Sequence, residues 1–77
     1  MSHCADIIAD AIIRTGDDDK RIARRIGSVP RSVKNWRLRN NAPRADELLA
    51  LAREYEEVRT AVIEIIASKG ERYGDRN

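Results

Sequence analysis

Residues 19–38, DKRIARRIGSVPRSVKNWRL, read as two short helices joined by a tight glycine turn, and the rest of the 77-residue chain is organised around them. In the first helix Ile22, Ala23 and Ile26 recur at the spacing that gives a helix one apolar side. Gly27 follows, where a helix ends on a residue that tolerates positive φ. Ser28 offers a hydroxyl to cap the next helix, and Pro30 sits in its first turn, where a missing N–H costs nothing. Val33 and Trp36 give that helix an apolar edge. Two helices crossing over such a turn form a helix-turn-helix. Ala23 is the small residue needed where they touch, and Gly27, four residues on, makes the turn. The pattern predicts the first of the pair over about 18–26 and the second over about 30–39.

Composition bounds what surrounds the pair. A chain of 77 residues makes one domain, and a domain this small buries a modest share of its surface, so oligomerisation would help it. Phenylalanine is absent and charged residues make up 36%, so the core must come from Ile, Leu, Val and Ala around Trp36. That is a helical composition, and the expected fold is an all-α bundle of four to five helices. One cysteine, Cys4, excludes an internal disulfide. With no membrane-length apolar stretch and no apolar leader core, the expected location is the cytoplasm.

The net charge of +2 conceals a segregation. Residues 1–19 carry one basic and five acidic side chains, 20–44 carry nine basic and none acidic, and 45–77 carry five basic and eight acidic, giving −4, +9 and −3. A carboxylate-free stretch over the whole helix pair is an electrostatic footprint for a polyanion. The bland alternative is a solvated basic face, but such faces normally mix signs to gain pairs one helical turn apart.

From the N-terminus, His3 and Cys4 lack the further ligands a zinc site needs. Ile8 and Ile12, flanked by Ala5, Ala11, Ile7 and Ile13, predict a first helix over about 5–14, stopped at Thr15 and Gly16. Asp17, Asp18 and Asp19 stand where carboxylates cap free N–H groups and complement the helix dipole. They lack the glycine and distant glutamate of a calcium loop. From Pro43 to Ser68 the pattern is helical throughout, with Leu48, Leu51, Tyr55, Val58, Val62 and Ile65 in steps of three and four. A single rod of that length would span about 39 Å, longer than a compact domain of this size is wide. It must either break within Arg53 to Glu57, where four of five residues are polar, or project its second half towards another chain. Gly70 is expected to end it, leaving residues 70–77 as a flexible tail.

At about 100° per residue, Arg31, Lys34, Asn35 and Leu38 fall on one face of the third helix, and Val33 and Trp36 point away from it. If the apolar pair faces inward, the polar set faces out. Arg31, in the first turn, can bond both acceptors of a guanine edge, which is worth about 1–3 kcal/mol of discrimination. Asn35 can pair with adenine, Lys34 with a guanine or a phosphate. Leu38 either meets a thymine methyl or closes the helix against its neighbour. Lys20, Arg21, Arg37, Arg39, Asn40, Asn41 and Arg44 read as phosphate-positioning groups, whereas Arg24 and Arg25 read as solvated.

Position by position, Ala23, Gly27, Val33 and Trp36 resemble the helix-turn-helix of the Cro and phage-repressor family of bacterial and phage regulators, also described as lambda-repressor-like or XRE-type. The likeness covers the helix pair best and extends loosely to about Ile66. The family usually places an apolar residue and then Ser after the glycine, whereas this chain has Ser28 then Val29, which blurs the start of the third helix. The resemblance implies that Asn35 faces a DNA groove and that the loop RNNAPR, residues 39–44, grips the sugar-phosphate chain. It also implies two helices after Pro43, the last contributing to a dimer. That favours a break and a contact through Val58, Val62, Ile65 and Ile66; the alternative is that these four complete the monomer core.

One His, one Cys and no phosphate-binding glycine loop give no catalytic constellation, so no enzyme activity, cofactor, metal or small-molecule ligand is expected. The expected partners are double-stranded DNA, read in the major groove, and a second copy of the chain. The expected function is a sequence-specific regulator, a phage or mobile-element repressor acting as a dimer on an inverted repeat. The alternative is an antitoxin-type interaction module whose last helix binds a partner protein.

Overall fold

The structure, a computed structural model, describes the backbone of residues 2–76 and the side chains of residues 4–67. The described residues form five helices and no strand: α1 Ser2–Thr15, α2 Asp19–Ile26, α3 Pro30–Arg37, α4 Ala45–Glu54 and α5 Glu56–Arg76. α1 packs against α3 and α5, α2 against α3 and α4, and α4 against α5. The core runs through all five, from Ile8, Ala11 and Ile12 of α1, through Ile22, Ala23, Val33, Trp36 and Leu51, to Val58 and Ala61 of α5. No described side chain leaves a buried nitrogen or oxygen without a partner, which matters because an orphaned polar group would cost about 1–3 kcal/mol.

Each helix end has a local cause. At the end of α1 the Thr15 hydroxyl donates to the Ile12 carbonyl at 2.7 Å, and Gly16 turns the chain at φ +78°. α2 ends on Gly27 at φ +74°, where the N–H of Ser28 reaches back to the Ala23 carbonyl at 2.8 Å. This is the bond pattern of a helix closed by a left-handed residue. α3 closes in the same way without a glycine: Arg39 takes φ +66°, its N–H donates to Trp36 O at 3.1 Å, and the N–H of Asn40 donates to Asn35 O at 2.9 Å. α3 therefore stops at Arg37 rather than near residue 39.

Ser28 does not cap α3. Pro30 occupies the first helical position, which fixes the capping position at Val29, one residue too late for the serine, and α3 starts without a side-chain cap. The apolar stretch after Pro43 does break, at one residue. Tyr55 is extended (φ −129°, ψ 119°) between α4 and α5. The Arg59 guanidinium bonds the carbonyls of Ala52 and Arg53 at 3.0 and 3.1 Å, satisfying acceptors that the end of α4 leaves open. The backbone of α5 continues past Gly70 to Arg76, since a glycine weakens a helix by only about 1 kcal/mol and needs a turn geometry to end it. The expected flexibility of residues 70–77 lies outside the described side chains. No described helix is long and apolar enough to cross a membrane.

Candidate nucleic-acid interface

α3 is held by its apolar edge. Val33 is fully buried and Trp36 is 4% exposed, both in the shared core. On the opposite side Arg31, Lys34 and Leu38 are exposed and Asn35 is half-buried. These four do share a face, and Leu38, 49% exposed, is not closed against a neighbouring helix. Asn40 donates its amide to the Asn35 Oδ1 at 3.3 Å, which ties the carbonyl side of Asn35 to the loop behind the helix. The sequence pattern reads Asn40 as a phosphate-positioning group; in the structure its amide steadies a residue of the α3 face.

The nine cations of residues 20–44 do not act alike. Three of them meet carboxylates brought in from outside the basic stretch. Arg37 makes a bidentate bond to Asp19, at 3.1 Å from Nε and 2.9 Å from Nη2, clamping the end of α3 to the first turn of α2. The Asp19 carboxylate raises the Arg37 pKa further above its ordinary value, so this group stays charged throughout the accessible range. Arg39 bonds Asp6 and Asp10 of α1, with Nε 3.0 Å from Asp6. Arg25, expected to be merely solvated, lies over the Tyr55 ring at 5.1 Å and within 3.7 and 3.8 Å of Asp17 and Glu54. Arg37 and Arg39, expected as phosphate-positioning groups, thus each already face an anion of the same chain and tie the end of α3 and the turn behind it to α2 and α1.

The remaining six, Lys20, Arg21, Arg24, Arg31, Lys34 and Arg44, are exposed and make no ion pair among the described residues. Asn41 is exposed as well. Lys20 and Arg21 stand in the first turn of α2, and the N–H of Arg21 is already taken by Asp18 Oδ1 at 2.8 Å. Arg44 precedes α4, where its N–H donates to Glu47 at 3.0 Å, and its side chain makes no ion pair among the described residues.

The three consecutive aspartates divide their work. Only Asp18 caps α2. Asp19 holds Arg37, and Asp17 accepts the Tyr55 hydroxyl at 2.8 Å, which pins the α4–α5 break to the start of α2. Nothing in the local sequence signals the last two contacts, whose partners lie far along the chain; an unbroken run of three carboxylates, more than one cap can use, is the one hint.

On α5, Val58 is fully buried in the monomer, so it is corrected from an interface residue to a core residue. Val62 and Ile65 pack partly against the same core. Ile66 is 62% exposed, and so is Ile63 at 58%, one turn away. Of the expected contact residues, then, Ile66 is the one that lies open, with Val62 and Ile65 contributing only their outer edges.

No group of three or more potential metal ligands occurs among the described residues. Family models, curated proteins and solved structures give no match to the chain.

Proposed function

We propose that the chain is a sequence-specific binder of double-stranded DNA in which α2 and α3 act as a helix-turn-helix and α3 lies in the major groove. The observation that carries this reading is the sidedness of α3: Arg31, Lys34 and Asn35 stand opposite a fully buried Val33 and a nearly buried Trp36, on a helix flanked by exposed cations that make no ion pair among the described residues. A guanidinium and an amide on one short rigid rod suit the acceptor pattern of base edges. Lys20, Arg21, Arg44 and Asn41 supply the sequence-independent hold on phosphate. By resemblance to the Cro and phage-repressor family, the regulator is a repressor of phage or mobile-element type that works in the cytoplasm on an inverted repeat. A second copy would meet the first through Ile66, Ile63 and the outer edges of Val62 and Ile65. Binding, not catalysis, is the activity.

The test is Arg31→Ala. It is expected to reduce the preference for a selected site over random duplex by roughly 5- to 150-fold, the equivalent of about 1–3 kcal/mol, with little effect on random DNA. An unchanged preference would remove Arg31 from the reading face.

A second reading has its own support. Ile63 and Ile66 leave an apolar stripe on α5 that another protein could cover, as in an antitoxin-type module. A stable heterologous partner, with no self-association of the stripped chain, would favour that reading.

A further inference from the structure

We infer that Asp6 and Asp10 act as an internal competitor of the DNA backbone, holding Arg39 away from phosphate and so limiting how tightly the chain grips duplex of any sequence. The inference rests on the DNA-binding reading above and adds a regulatory element to it.

Three observations carry it. The first is position: Arg39 stands two residues past the end of α3, between exposed Leu38 and exposed Asn40 and Asn41 in the chain, where an unoccupied guanidinium would add to the backbone hold. The second is engagement. Its Nε and Nη2 are taken by Asp6 and Asp10, two carboxylates one helical turn apart on the same face of α1. Because both are fixed in the same chain, they face the guanidinium at a high effective concentration, and a phosphate must displace them to bind it. The third is backbone cost. Arg39 is the one described non-glycine residue with positive φ, at +66°, a conformation that L side chains adopt reluctantly. Such strain persists only where surrounding contacts impose it. Here the closing bonds of α3 reverse the chain and aim the side chain back at α1 instead of outward with Arg31 and Lys34. The carboxylates of α1 thus subtract a cation from the basic surface without changing the face that reads bases.

The experiment measures the salt dependence of binding to a short random-sequence duplex for four chains: wild type, Arg39→Gln, Asp6→Asn/Asp10→Asn, and the triple variant. Arg39→Gln is expected to leave the slope unchanged. Asp6→Asn/Asp10→Asn is expected to steepen it by about 0.9, so that the affinity lost over a fourfold rise in salt grows by about 3.5-fold. The triple variant is expected to return to the wild-type slope. Asp46→Asn/Glu64→Gln, which changes net charge equally at carboxylates with no ion pair among the described residues, is expected to do nothing. All of these side chains are exposed or half-buried, and circular dichroism of each variant is the check that it folds; Asp10→Asn alone serves if the pair does not. A lower slope in Arg39→Gln, no change in the aspartate variants, or a gain that survives in the triple variant would overturn the inference while leaving DNA binding intact. A wild type that binds no duplex at low salt would overturn both.

Discussion

Replacing Tyr55 with Phe isolates the contact that divides α4 from α5. The phenyl ring fills the same nearly buried site and keeps Arg25 above it, so the perturbation is the loss of one hydroxyl, which donates to Asp17 at 2.8 Å. A hydrogen bond to a charged acceptor is worth about 1.5–3 kcal/mol, and the Asp17 side chain is still 21% exposed, so the lower end applies, about 1.5 kcal/mol. For a domain of this length that lowers Tm by about 6–12 °C. The pH dependence sharpens the test. Burial, and next the bond to Asp17, raise the Tyr55 pKa above its ordinary value of 10.0, with Arg25 pulling the other way. For a raised pKa the stabilisation is complete below the unfolded value and is lost as pH rises through the folded one. The stability gap between wild type and Tyr55→Phe should therefore be constant below about pH 10 and narrow above it, read from urea denaturation at each pH. A variant as stable as wild type, or a gap that does not narrow in alkali, would refute the assignment of this hydroxyl.

Three further outcomes are expected. Val29→Thr keeps the side-chain shape at a 56% exposed position and supplies the cap that α3 lacks, so it should stabilise by about 0.5–1 kcal/mol; a lower urea midpoint would show that α3 does not start at Pro30. Lys20→Ala should reduce the salt slope of DNA binding by about one, whereas Arg37→Ala should leave the slope alone and lower thermal stability, since its guanidinium already belongs to Asp19. Ile66→Asp should abolish self-association in sedimentation while the chain stays folded, and Val58→Asp should unfold it; a monomeric wild type would remove the proposed dimer surface.

What the sequence made legible was local. Gly27 marks the end of α2 because few other residues tolerate φ +74°, Pro30 marks the start of α3, and the three-residue step from Val33 to Trp36 places the inward edge. A break before α5 was one of two outcomes that the length of the apolar stretch left open, and the pattern named five candidate residues, Arg53 to Glu57, without singling out Tyr55 among them. Contacts between distant residues were not legible. A carboxylate-free run of sequence is not a carboxylate-free surface, because Asp6, Asp10, Asp17, Asp19 and Glu54 arrive from outside that run and occupy Arg25, Arg37 and Arg39. The left-handed Arg39 gave no warning either, since the residue that would announce such a position is glycine or asparagine. The apolar stripe of α5 is wider than the core needs, and which of its members point inward depends on its rotation against α1, which periodicity alone does not set.

The proposal that the outward side of α3 recognises base pairs is tested most directly by a selection of bound molecules from a pool of random duplexes. One enriched sequence is expected, arranged as two inverted halves about 10 base pairs apart, whose enrichment collapses for Arg31→Ala. A pool that emerges from wild-type selection as random as it entered, with binding governed by salt alone, would contradict it.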